Sequence, residues 1–239
     1  MGNIVFGGCS YTWGQSVWYH ANFENDYHPK DGWFYGNLVC PECKEYMEEH
    51  RFAGQVSKYF GKEQRVKAKN GGSNMQALEF CRQAIDTETE LVIIQTTQFS
   101  RDHIEIDEQV ENFEKFVEET EAKGIPVRFL HWIWPNFISE ELKLIKNNKF
   151  NSNKLTSNII KDRTIWLDGE FNFWKWTELP EAKLNSTKER YEEIKKRSII
   201  GHFGLPTNAK APDSHFSLYG HNIVAESIIN YIKENNLLK

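Results

Sequence analysis

The sequence lacks most of the features that would take a chain out of the ordinary globular class. No apolar run approaches the roughly 20 residues that cross a bilayer, and the opening MGNIVFGG has no basic region leading into an apolar stretch and a cleavage site. Neither a membrane span nor a secretory leader is expected. Positive charge is not in excess either: 29 Lys and Arg stand against 34 Asp and Glu, a formal net charge of −5. No Lys/Arg cluster interleaved with aromatics is present to track a phosphate backbone, so no nucleic-acid partner is expected. Cysteine is scarce, at four residues (Cys9, Cys40, Cys43 and Cys81). Without a leader these read as reduced thiols of a cytoplasmic or virion-associated protein rather than as a disulfide framework. No internal repeat, low-complexity tract or Pro/Gly-rich linker divides the chain, and residues 1–239 read as one domain.

What is present is enough to build a core. At 39% apolar and 14% aromatic, the 239 residues exceed what a disordered chain would carry. Short apolar runs alternate with amphipathic segments, the pattern of a mostly parallel sheet covered by helices. NIVFGG reads as the first strand, RFAGQVSKYFG as a helix stopped by Gly61, and QRVKAKN as a second, alternating strand. SNMQALEFCRQAID places Met75, Leu78, Cys81 and Ile85 on one helical face, and ELVIIQTT is a buried strand. In DEQVENFEKFVEETEAKG, Val110, Phe113, Phe116 and Val117 share a face, with Asp107 as candidate N-cap and Gly124 as stop. IPVRFLHWIW supplies a fourth strand ended by Pro135, and TIWLDG a fifth. The last helix carries Ile223, Val224, Ile228 and Ile232 at helical spacing after the N-cap candidate Ser217. Residues 16–50 read as an aromatic, cysteine-bearing insertion and 136–198 as a variable region; within the latter, ISEELKLIKNNKFNSNKL and STKERYEEIKKRS have helical character.

In an open parallel sheet, ligands bind beyond the carboxyl ends of the strands. Three loops would meet there: Ser10 after the first strand, Asn70 to Asn74 after the second, Thr96 to Arg101 after the third. A serine hydroxyl becomes a nucleophile only with a histidine in hydrogen-bond reach, itself oriented by a third group. PDSHFSLYGH, just before the last helix, offers Asp213 and His215; His221 lies within that helix and reads as a packing residue.

The segments GGCSYTWG, NGGSN and DSHFSLYGH resemble, in order and spacing along the chain, the first, second and last blocks of the SGNH (GDSL-like) hydrolases. Some members of that family carry Gly-Cys-Ser where many have Gly-Asp-Ser. The resemblance implies a flavodoxin-like three-layer α/β/α sandwich around a mostly parallel five-stranded sheet, which agrees with the element order. It implies Ser10 as nucleophile, His215 as base and Asp213 as the residue that orients it, with the backbone N–H groups of Ser10 and Gly71 in the oxyanion hole. A glycine there suits a backbone donor that must come within about 3 Å of the developing oxyanion. Two features depart from the pattern: QTTQFSRD has Gln98 where the third block carries asparagine, with the Thr97 hydroxyl as the alternative donor, and only Ser214 separates Asp213 from His215.

Tyr11, Trp13, Asn74 and Arg101 border these blocks and are candidates for substrate contact, although Gly71 and Asn74 would equally form a turn and a helix start. Cys40 and Cys43 have the gap of half a zinc site, which His20, His28 or His50 would have to help complete; two unpaired thiols is the plainer reading, and no cofactor is otherwise implied. The aromatics from Trp13 to Tyr35, and FNFWKW at 171–176, suit either core packing or a wall for pyranose faces. The expected activity is therefore that of a serine esterase on a small-molecule or glycan ester, such as an O-acetyl group. The rival is an SGNH-like module that binds without cleaving.

Overall fold

A computed structural model of the chain describes residues 1–14, 17, 41–97, 101–131, 158–167, 200–201, 215–216 and 218–238. Five parallel strands form the central sheet: β1 (Asn3–Gly8), β2 (Glu63–Ala68), β3 (Thr89–Gln95), β4 (Val127–His131) and β5 (Thr164–Trp166). Their order is β2-β1-β3-β4-β5, the flavodoxin-like arrangement. Successive side chains of a strand point to opposite faces, and the sequence uses both. Ile4, Phe6, Leu91 and Ile93 enter one core, against α3 (Phe52–Tyr59) and α7 (Leu218–Glu234). Val5, Val92 and Ile94 enter the other, against α4 (Asn74–Ala84) and α5 (Ile106–Glu121). This is why β1 is buried at every position, whereas no residue of β2, at the sheet edge, is fully buried.

The helices follow their sequence signals with some corrections. Gly61 takes a left-handed φ of 64° just past α3 and Gly124 one of 77° past α5, as stops should. The N-cap of α5 is Glu105, not Asp107; Asp107 and Glu108 lie in the first turn, where carboxylates complement the helix's free N–H groups. The buried face of α4 is Ala77, Leu78, Cys81 and Ala84, with Met75 and Ile85 only partly covered at its ends. Cys81 lies so close over β1 that a Cβ on Gly7 would overlap its sulfur. Burial pushes its thiol up to about 12, so it is inert. In α7, Val224, Ile228 and Ile232 are buried and Ile223 packs at the margin.

Four elements were not legible at their length: α1 (Ser10–Trp13), α6 (Asn158–Lys161) and the antiparallel pair β6 (Ile200–Gly201) and β7 (His215–Phe216). The last ten residues of the expected insertion form α2 (Pro41–His50), docked on α3 with Met47 2% exposed. Among the described residues, no helix is long and apolar enough to cross a membrane. The helical segments expected at 138–155 and 186–198, the aromatic groups at 18–35 and 171–176, and Ser217 lie outside the described residues.

One ion pair ties the sheet's far edge to the helical layer. Arg163, beside β5, donates to both carboxylate oxygens of Glu121 at the end of α5, at 2.9 and 2.7 Å. The Arg163 guanidinium holds the Glu121 carboxyl below its ordinary value of 4.5. A lowered folded-state value stabilises above 4.5, and that contribution drains away as the pH falls below it. Glu121→Gln is therefore expected to cost about 1 kcal/mol at neutral pH and progressively less as the pH is lowered below 4.5, measured by urea unfolding across that range.

Candidate active site

The carboxyl ends of β1 and β3 mark the point where strand order reverses, and Ser10 sits there. β1 ends at Gly8, Cys9 takes an extended N-cap conformation, and α1 begins at Ser10, which is 5% exposed. Ser10 is thus the first helical residue and not the cap. Its turn is braced from below by Gln95, the last residue of β3. The Gln95 Oε1 accepts from the Cys9 N–H at 3.2 Å, the Thr12 hydroxyl at 3.1 Å and the Cys9 thiol at 3.2 Å. The far end of α1 is held by Arg51, whose Nη1 donates to the Trp13 carbonyl at 3.3 Å and whose Nε donates to Gln64 at 3.0 Å. Arg51 is 5% exposed, and burial brings its guanidinium down to about 10, still charged at neutral pH.

The loop after β2 turns at Gly71, with a left-handed φ of 69° and open space where a side chain would begin. Ser73 and Gln76 then form a reciprocal capping box at the start of α4. A second acceptor, Asp102, takes the Asn74 N–H at 3.0 Å and the Met75 N–H at 3.4 Å. Asn74, fully buried, joins this loop to the next: its Oδ1 accepts from the Thr97 N–H at 2.8 Å, and its Nδ2 donates to the Thr97 carbonyl at 3.2 Å and to Gln109 at 3.3 Å. Arg101 donates to the Gly72 carbonyl at 3.1 Å. Both side chains link neighbouring loops at the candidate site. In the third loop, the Thr96 hydroxyl lies 2.7 Å from Nδ1 of His131 at the end of β4. The Thr97 hydroxyl is buried and has no hydrogen-bond partner among the described residues, and the same holds for Oδ1 of Asn70.

His215 lies in β7 opposite Gly201, a paired strand position rather than the loop expected from the preceding proline. β7 packs against α1, and the Tyr11 ring meets the Phe216 ring edge-on with centroids 4.8 Å apart. The chain's first and last blocks, over 200 residues apart, are therefore neighbours. Tyr11 is 3% exposed and belongs to the core. Asp213 and Gln98 lie outside the described residues, as does the side chain of His215. His221 is buried: it stacks on Phe52, meets Phe216 edge-on, and its Nδ1 accepts the Phe52 N–H at 3.2 Å, a packing residue as its place in the sequence suggested. Among the described residues no group of three or more His, Cys, Asp or Glu could hold a metal. Cys40, His20 and His28 lie outside them; His50 stacks on Tyr46 and its Nδ1 donates to the Tyr46 carbonyl at 2.9 Å.

Gln95, Thr12, Arg51 and Asp102 were not anticipated. Gln95 alone left a visible trace, a polar side chain closing the run LVII.

The strand order, with helices on both faces, defines an open α/β/α sandwich whose switch point carries a serine. No family model matches the chain, and no curated protein matches it. Solved structures do. A psychrotrophic esterase from Pseudoalteromonas sp. is 11% identical over 98% of this chain and 98% of its own, with a TM-score of 0.50. A lipolytic protein of the G-D-S-L family from Veillonella parvula is 10% identical over 98% and 99%, also at 0.50. A family two carbohydrate esterase from Clostridium thermocellum is 11% identical over 99% of this chain and 65% of its own, at 0.51. The fold is that of the SGNH (GDSL-like) hydrolases.

Proposed function

We propose that this chain is a serine esterase in which Ser10 is the nucleophile, His215 the general base and Asp213 the residue that orients His215. The observation that carries the reading is the position of Ser10: it opens α1 at the switch point, and α1 packs on the strand that bears His215. In the first step the Ser10 oxygen bonds to the ester carbonyl carbon and its proton passes to His215. Collapse of the tetrahedral intermediate breaks the bond to the alcohol oxygen, which leaves with that proton. Water, deprotonated by His215, then attacks the acyl-enzyme; the bond from the Ser10 oxygen to the acyl carbon breaks, His215 returns the proton to Ser10, and the acid leaves.

The oxyanion is met by the N–H groups of Ser10 and Gly71 and by a third donor from the loop after β3. The hydroxyl of Thr97, buried and without a hydrogen-bond partner among the described residues, favours that group over the Gln98 amide. Removing one such donor costs about a hundredfold or more in kcat, and Thr97→Val is expected to do so with KM little changed, in a steady-state assay with p-nitrophenyl acetate. The substrate class we favour is an acetyl ester on a carbohydrate, in keeping with the aromatic-rich 16–50 segment and with the carbohydrate esterase among the fold's relatives. The test is release of acetate from acetylated xylo-oligosaccharides: turnover by the wild-type protein that disappears in His215→Ala supports the reading, and a folded wild-type protein that releases none contradicts it.

A further inference from the structure

We infer that Gln95 is a positioning residue for the serine, setting the geometry of the turn that holds Ser10 and of the loop that faces it. The inference rests on the reading of Ser10 as nucleophile and concerns a residue to which the block resemblance assigns no role. Gln95 ends a strand whose preceding residues Leu91, Val92, Ile93 and Ile94 are all buried apolar side chains, and it is itself 1% exposed. An apolar residue would fill that space without the cost of burying an amide, about 1–3 kcal/mol when a partner is missing. The amide is tolerated because its bonds are made, and all of them run to the site's own backbone and side chains.

The Oε1 atom gathers the Cys9 N–H, the Cys9 thiol and the Thr12 hydroxyl. Cys9 and Thr12 stand on either side of Ser10 and Tyr11, so one oxygen fixes the turn both before and after the serine. A Cβ on Gly8 would lie 2.8 Å from that oxygen, so the glycine before Cys9 is what lets the amide approach. The Nε2 atom donates to the Thr96 carbonyl at 2.6 Å. This fixes the peptide leading into Thr97, whose own N–H is held by Asn74. A single side chain thereby sets the spacing between the nucleophile's turn and the loop with the third oxyanion donor. Misplacement of reacting groups by about 1 Å can cost a hundredfold in rate, so Gln95 acts on the rate of bond formation and not on the capture of substrate.

The test uses the full chain and a fluorophosphonate probe, with the rate of Ser10 phosphonylation followed by intact mass over a range of probe concentrations to separate kinact from KI. Gln95→Met keeps the volume and removes both polar arms. It is expected to lower kinact by about ten- to a hundredfold, with KI within about twofold and a native far-UV circular dichroism spectrum. Gln95→Glu restores an acceptor for Cys9 and Thr12 and is expected to recover part of the loss. A folded Gln95→Met protein that reacts at the wild-type rate, or one whose deficit lies wholly in KI, would overturn the inference. Should Gln95→Met not fold, Thr12→Val removes one donor from the same oxygen. A threefold or greater fall in kinact is then expected, and an unchanged value overturns the inference. Absence of any adduct on Ser10 in the wild-type protein would instead remove the nucleophile reading on which the inference stands.

Discussion

Ser10→Ala is expected to leave a folded protein whose esterase turnover falls by at least a thousandfold, because the substitution deletes the atom that forms the acyl bond. Losing the nucleophile of a serine-histidine site forfeits the whole covalent route, and what survives is the much smaller contribution of the oxyanion donors and binding. The backbone of the turn does not depend on a serine. Ser10 stands in the first turn of α1, its backbone carbonyl accepts the Gly14 N–H, which alanine keeps, and alanine is the best helix former. Steady-state hydrolysis of p-nitrophenyl acetate, set beside thermal unfolding, separates the two effects: turnover lost with the melting temperature within a few degrees. A parallel loss of both would place Ser10 among the structural residues.

Asn74→Ala is expected to produce the largest loss of stability, about 3 kcal/mol or more. Asn74 is wholly buried and gives three side-chain bonds, to the N–H and carbonyl of Thr97 and to Gln109. Alanine would leave the Thr97 N–H without its acceptor in a place water does not reach, the costly case among lost hydrogen bonds. It would also release the loop after β3 from the start of α4, so activity should fall further than stability alone explains. Urea unfolding gives the first quantity, and kcat under conditions where the variant is fully folded gives the second. Asn74→Asp keeps the acceptor for Thr97 but turns carboxylate oxygen toward the Thr97 carbonyl and the Gln109 oxygen, and it should not rescue the loss.

The sheet was legible because its strands are extreme. β1, β3 and β4 carry buried apolar runs, IVF, LVII and FL, on both faces of the sheet, whereas β2, at the edge, is built of mostly polar, partly exposed residues. The helices α4, α5 and α7 declared themselves by apolar spacing, and their stops by Gly61 and Gly124. What stayed hidden is short or distant. Four residues of α1 and two each of β6 and β7 are too few for any periodicity to register, and β7 exists only through its pairing with Ile200 and Gly201. Asp102 caps a helix whose start lies 28 residues earlier, and Gln95 bonds to Cys9 across 86. At the level of the sequence each is a polar residue in or beside a loop; only the parallel stacking of β1 on β3 turns them into braces. The misplaced cap of α5 has a local cause, since Glu105 and Asp107 are both acidic and the half-buried Ile106 between them decides which one stands outside the helix.

The central claim, that Ser10 is an activated nucleophile, is tested most directly by exposing the purified wild-type protein to a fluorophosphonate and locating the product by intact mass and peptide mapping. A single adduct on Ser10, formed at neutral pH and lost on His215→Ala, is the predicted result. A folded protein that takes up no probe, or takes it up elsewhere, would contradict the claim and leave a module of this fold that binds without cleaving.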